Sequence, residues 1–177
     1  MQRFQDIRRK AFGAGLLCAM GFALTGAAPA SAGPDVISSH ANWDTIAMTG
    51  SDNRAFCGVQ TRLKGGASFT IFSDGSKIHL AAVNPGWRLP SEAHFTITAE
   101  VDGDGFAGTA DVASRDMVLV RNLSAVFLDR FIRGDHMVFR FAGSRWAMKL
   151  NGSGKAAADM AHCLATGRSA ALPEQLS

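Results

Sequence analysis

The chain is poor in the residues and patterns that usually announce an activity. It has three cysteines in all and no Cys-x-x-Cys pair, which removes a thioredoxin-type redox site and a thiolate zinc knuckle. No His-Glu-x-x-His is present, and His40, His79, His94, His136 and His162 stand singly, so no zinc-hydrolase spacing exists. No Gly-x-Ser-x-Gly marks a nucleophile elbow. A Ser–His–Asp set could be assembled from distant residues, and nothing in the sequence selects one. After residue 32 there is no apolar run approaching the roughly 20 residues that a transmembrane helix needs, so no transmembrane anchor is expected in the mature part.

A net basic charge is absent as well, once the chain is divided. Of 18 lysines and arginines and 15 acids, four bases and one acid fall in residues 1–32. The remainder is formally neutral. The basic isoelectric point near 9.0 therefore belongs to the N-terminal segment. A nucleic-acid partner requires a basic footprint that displaces counterions from phosphates, and the rest of the chain has none.

The N-terminal segment itself has the form of an export signal. Arg3, Arg8, Arg9 and Lys10 precede the apolar stretch Ala11–Leu24, and Thr25–Ala32 ends in Ala30-Ser31-Ala32, an A-x-A cleavage pattern. Cys18 lies inside the apolar stretch behind a bulky leucine, which does not suit a lipid-attachment box. Arg8-Arg9 suggests a twin-arginine signal, but Phe12 sits one place late for it. The expectation is a signal peptide over 1–32 and one domain over 33–177, periplasmic or secreted. In that oxidising setting Cys57 and Cys163, 106 positions apart, read as one long-range disulfide.

Residues 33–177 read as short strands with turn punctuation. Ala67–Phe72 and Lys77–Val83 flank Ser73-Asp74-Gly75-Ser76, the sign of a hairpin. Phe95, Ile97, Ala99 and Val101 alternate with polar residues up to Asp102-Gly103-Asp104-Gly105, and Phe106–Val112 returns. Asp116–Val120, His136–Ala142, Arg145–Leu150 and segments around Ile46 and Val59 bring the count to about eight or nine strands. Leu123, Val126, Phe127, Phe131 and Ile132 form a helical stripe capped by Asn122 or Ser124, with Gly134 expected in the left-handed position at its end. A second helix runs from about Ser153 to Ala165, with Ser153 as N-cap and Ala156, Met160, Cys163 and Leu164 on one face. The fold class is mostly β: an antiparallel sandwich or partly closed barrel with two short helices, the last tethered to a strand by Cys57–Cys163.

Two motifs fail on inspection. Gly152-Ser153-Gly154-Lys155 resembles the end of a phosphate loop, but Lys149 stands where the first glycine belongs and Ala156 where the hydroxyl belongs. Asp102-Gly103-Asp104-Gly105 lacks the distal acid of a calcium loop, since Ala113 occupies its twelfth position. No metal or cofactor is implied. His79, His94 and His136 read as surface positions, and Arg130, Arg133, Arg140 and Arg145 as solvated cations balanced by nearby acids. The segment with most binding character is the Pro-bounded loop Asn84–Ala93, where Trp87 and Arg88 offer area, stacking and directional hydrogen bonds; the structural alternative is that Trp87 folds back to cover a sheet edge or barrel mouth. Trp43 and Trp146 read as core.

From Val126 to Ala157 the order is a helix ending in Phe131-Ile132-Arg133-Gly134, the strand Met137-Val138-Phe139, and Leu150-Asn151-Gly152-Ser153 leading into an Ala-rich helix. This resembles the small exported alphaproteobacterial proteins of the invasion-associated locus B type. The likeness covers about thirty residues closely and departs in its cysteines, of which that family usually carries more. It implies a β-rich, non-enzymatic envelope protein, in some members linked to host-cell interaction, and transfers no catalytic residues. The leading expectation is thus an exported binding module whose partner is a protein or an envelope or host-surface ligand. A small inhibitor of a hydrolase is the alternative, and a hydrolase built from sequence-distant residues the third.

Overall fold

A computed structural model describes residues 33–50 and 54–166. The expected export signal, with its expected cleavage site and Cys18, lies outside the described residues. The elements are β1 (Asp35–His40), β2 (Trp43–Thr49), β3 (Ala55–Arg62), β4 (Ser68–Ser73), β5 (Ile78–Val83), β6 (His94–Val101), β7 (Asp104–Ser114), β8 (Met117–Val120), α1 (Ala125–Arg133), β9 (His136–Phe141), β10 (Ser144–Lys149) and α2 (Ser153–Thr166). A short 3-10 turn, Lys64–Gly66, links β3 to β4. All strands join one antiparallel sheet in the order β1-β2-β3-β4-β5-β8-β7-β6-β9-β10.

Turn chemistry sets the registers. At the β6–β7 hairpin Asp102 and Gly103 take φ of 47° and 93°, the pair of positive angles that a two-residue primed turn demands. Ala142 (45°) and Gly143 (78°) do the same between β9 and β10. Between β4 and β5 the Asp74 carboxylate accepts from the Ser76 hydroxyl at 2.7 Å and from the Ser76 and Lys77 amides at 2.9 and 3.2 Å. Those donors hold its pKa far below the usual carboxylate range.

The sheet does not close, but it curls back on itself. Trp43, on the second strand from one end, donates its indole N–H to the Lys149 carbonyl at the other end, 3.0 Å away. Strands that far apart in a sheet can touch only if its right-handed twist carries it round. The concave side holds one core in which Trp43, Phe69, Phe131 and Phe139 are fully buried. Edge-to-face contacts of 4.9 Å (Trp43–Phe131) and 5.4 Å (Phe69–Phe139) link them, the arrangement aromatic quadrupoles favour.

Helix α2 lies against β1, β2 and β3 on this inner side. Thr45 donates its hydroxyl to the Ala156 carbonyl at 3.1 Å, and the Cys57–Cys163 disulfide, with Cα atoms 6.1 Å apart, fixes the far end of the helix to β3. Helix α1 packs on α2 and is capped by Ser124, whose hydroxyl accepts from the Phe127 amide at 3.1 Å.

Four local expectations need correction. The sheet has ten strands, because Asp35–His40 adds an edge strand with too little alternation to be read. Gly134 is extended (φ −76°), not left-handed; it is glycine because a Cβ there would lie 2.6 Å from Val101 Cγ1 and 2.8 Å from the Arg130 carbonyl. The Ser153 hydroxyl does not cap α2. It donates to the Phe131 carbonyl at 2.9 Å, while the Gly152 carbonyl accepts from Ala156. His79 points outward but is half-buried, 5.4 Å from the Phe72 ring.

Two outcomes follow from these ties. A Cys57→Ser/Cys163→Ser double variant should lose roughly 4–5 kcal/mol in denaturant unfolding, the chain entropy released by opening so long a loop. A loss below about 1 kcal/mol would show that the helix holds to the sheet without it. The second concerns Asp102, whose carboxylate accepts from the Asp135 and His136 amides at 2.8 and 2.9 Å and has its pKa lowered from 3.8 mainly by the first. A depressed folded-state pKa contributes stability that is complete above the unfolded value and is lost as pH falls through the folded one. Asp102→Asn should therefore melt below the parent at pH 7, with the gap closing on acidification below about pH 4. A pH-independent gap would assign the effect to turn geometry instead.

Candidate functional site

The loop carrying Trp87 and Arg88 is built by its own turn. Asn84 accepts from the Gly86 amide through its side chain (2.9 Å) and from the Trp87 amide through its carbonyl (2.9 Å), folding the chain back. Trp87 is thereby inserted between strands and is 7% exposed. Its ring stacks on Trp146 at 5.4 Å and 8°, meets Phe141 edge-on at 4.8 Å, and donates to the Ser144 hydroxyl at 3.0 Å. Arg88 stays at the surface, its guanidinium donating to the Pro85 and Trp87 carbonyls at 2.8 and 2.6 Å. The two residues expected to act together therefore face different ways. Trp43 is core as expected, and Trp146 is half-buried beneath Trp87.

Distant residues do bring serine, histidine and aspartate together, at the junction of β1 and α2. Ser38 donates its hydroxyl to Asp159 Oδ2 at 2.5 Å, and His40 Nε2 lies 2.7 Å from the same oxygen. The carboxylate sits between the other two, held below its ordinary pKa by the Ser38 hydroxyl first and His40 second. A catalytic triad requires the imidazole between hydroxyl and carboxylate, so that it can take the hydroxyl proton. This cluster ties an edge strand to a helix. A second group joins His94 Nδ1 (2.8 Å) and Arg121 Nε (3.2 Å) to Asp111, whose pKa they lower in that order. His94 and His136 are exposed as expected. His79 Nδ1 is buried without a hydrogen-bond partner among the described residues, and desolvation pushes its pKa down. No cluster of three or more His, Cys, Asp or Glu able to hold a metal occurs among the described residues.

The concave feature that the sequence did not announce arises because β8 is short. Its four residues pair with Leu80–Val83 of β5 on one side and only with the last part of β7, Asp111–Ser114, on the other. The first part of β7 pairs with β6 alone. After Val120 the chain departs through Asn122 in the left-handed conformation (58°), with Leu123 donating to the Ile78 carbonyl at 2.8 Å before α1 begins. A cleft of about 330 Å³ opens between that linker and the free side of β7.

Its floor is apolar: Leu80, Ile97, Ala99, Phe106, Val120 and Phe127. Gly108 leaves the wall bare, since a Cβ there would meet only Ile97 and Val120 at 3.8 Å, an ordinary contact distance. The hairpin register turns the even residues of β7 toward β6, so Ala107 and Thr109, both in the lining, present backbone N–H and C=O groups to the opening. Arg121 stands at the rim, oriented by Asp111. Such a site combines a hydrophobic body with a few directional polar groups at its mouth. The small residues Gly105, Ala107, Gly108 and Ala110 within one strand were its sequence trace, since glycine in a strand interior marks close approach by another group.

No protein-family model matches the chain, and no curated protein or solved structure is significantly similar to it.

The two tryptophan-loop positions separate cleanly by measurement. Trp87→Ala should cost about 3–5 kcal/mol and Arg88→Ala under about 0.5 kcal/mol in chemical denaturation. An unchanged midpoint for Trp87→Ala would mean the indole is not holding this end of the sheet.

Proposed function

We propose that the chain is a non-catalytic binding protein of the bacterial envelope, periplasmic or secreted, and that the cleft beside β7 takes a small amphiphilic molecule. The observation that carries this reading is the pairing of an apolar floor with backbone groups that have no partner among the described residues and one cation at the rim. An aliphatic or aromatic body would displace water from the floor, gaining about 25 cal/mol per Å² of apolar surface buried. An anionic or carbonyl end would meet Arg121 and the free amides of Ala107 and Thr109. The lining carries hydroxyls at Thr109 and Ser124 but no carboxylate or histidine beside them to act as the base that nucleophilic chemistry draws on.

The location is supported by the Cys57–Cys163 disulfide, a bond that persists in oxidising compartments, and by the export-signal pattern of residues 1–32. No helix among the described residues is long and apolar enough to cross a membrane. The likeness of Val126–Ala157 to the invasion-associated locus B type supports a ligand drawn from the envelope or a host surface, with a lipid acyl chain as the chemistry that fits the floor.

Titration with anilinonaphthalene sulfonate, an apolar dye with an anionic end, tests this. The expected result is saturable one-to-one fluorescence enhancement, reversed by a medium-chain fatty acid. Gly108→Val fills the wall with a residue suited to a strand and should abolish the signal while leaving the melting temperature within about a degree or two. Dye binding that survives Gly108→Val, or that never saturates, sinks the assignment.

A further inference from the structure

We propose that the free edge of β10 is a strand-addition site for an acidic, extended peptide segment. β10 pairs with β9 alone and ends the sheet. The two-residue turn Ala142-Gly143 makes Phe141 and Ser144 a hydrogen-bonded pair, which points the backbone groups of Ser144, Trp146 and Met148 at β9. Those of Arg145, Ala147 and Lys149 point the other way. Two observations agree with that parity: the Leu150 amide donates back to Asp135 at 2.8 Å, and the Lys149 carbonyl receives the Trp43 indole at 3.0 Å. The Arg145 and Ala147 amides and carbonyls have no protein partner among the described residues.

Alongside this edge runs an open groove of about 400 Å³, whose lining includes Ala147, Met148 and Lys149 on one side and Asp44, Thr61 and Arg62 on the other. An extended segment laid there would form ladder bonds with Arg145 and Ala147. This is the mode in which an exposed sheet edge recruits a peptide backbone.

Charge selects the occupant. Of the four arginines expected to be balanced by acids, Arg130, Arg133 and Arg140 are paired with Asp104, Asp129 and Glu100 at 2.9, 2.8 and 3.4 Å. Arg145 has no such partner among the described residues, and neither do Lys149 nor Arg62. The one carboxylate in the groove, Asp44, already accepts the Ser39 hydroxyl at 2.6 Å. A second copy of the chain is the wrong partner. Antiparallel pairing of two β10 edges centred on Ala147 sets Arg145 against Lys149 twice, and like charges directly opposite across a ladder are destabilising. The opposite edge, β1, carries a bulge between Val36 and Ser38 that breaks its register and discourages addition. β10 has no bulge.

The test uses the whole exported chain and a fluorescein-labelled peptide of alternating glutamate and valine, read by polarisation. Binding should be salt-sensitive, absent for a lysine–valine analogue, and absent for the acidic peptide with alternate amides methylated on one edge. Ala147→Pro removes an outward amide without costing a bond to β9 and should weaken binding roughly tenfold or more. Should that variant melt early, Arg145→Glu/Lys149→Glu provides the second measurement: it should lose the acidic peptide and gain the lysine–valine one. Binding indifferent to both variants, no binding, or concentration-dependent dimers abolished by Ala147→Pro would each overturn the proposal.

Discussion

The ends of the ten-stranded sheet meet without pairing, and the rest of the molecule is arranged around that gap. Twist brings the Trp43 end of β2 against the end of β10, where one indole-to-carbonyl bond replaces a ladder. A closed barrel would fill its interior with strand side chains alone. Here a helix enters from the open side, and the concave rows Thr45, Ala47 and Cys57 pack on it. The disulfide then acts where no ladder can. It ties to a strand a helix whose buried residues are mostly small (Ser153, Ala156, Ala157 and Cys163, with Met160 the one long side chain) and so contributes little buried apolar area per residue.

The same incomplete pairing produces both sites. Four residues of β8 cannot cover eleven of β7, so part of one ladder is missing inside the sheet. At β10 the sheet simply stops. Each place leaves backbone amides facing outward, and their surroundings decide what would satisfy them. Beside β7 the neighbours are Leu80, Phe106 and Phe127, which favour an apolar body. Beside β10 they are Arg62, Arg145 and Lys149, which favour negative charge and exclude a like-charged copy.

Much of the framework was legible in the sequence because it rests on local rules. The alternation in His94–Val101, the Asp-Gly turns and the apolar stripe of α1 each follow from a period or a φ requirement that needs no distant partner, although Val126, expected in that stripe, faces outward at 65% exposure. The disulfide was legible for another reason: Cys57 and Cys163, the two cysteines after residue 32, have one way to pair. What escaped depends on tertiary approach. Gly134 is dictated by Val101 and the Arg130 carbonyl, and Ser153 by the Phe131 carbonyl, neither of which a local capping rule can anticipate. β1 is an edge with a bulge, so no face of it is buried strongly enough to impose a pattern. Trp87 illustrates the converse. A tryptophan in a proline-bounded loop looks like an anchor, yet the Asn84 turn directs it onto Trp146.

The placement of charge separates holding from binding. Acids that accept several donors, Asp74, Asp102, Asp111 and Asp159, each secure a turn or join two elements, and their lowered pKa values reflect those donors. Cations paired with acids, Arg130, Arg133 and Arg140, belong to the same scaffolding. A formally neutral domain that commits so many carboxylates to its own donors leaves some cations without an internal partner among the described residues: Lys149 and Arg62 line one groove, and Arg145 stands further along the same strand, β10. Exposed ion pairs add little to stability, so the absence of acids there costs the fold almost nothing. It does leave a strip of positive potential against an unpaired strand edge, where an acidic segment could meet charge and hydrogen-bonding groups at once.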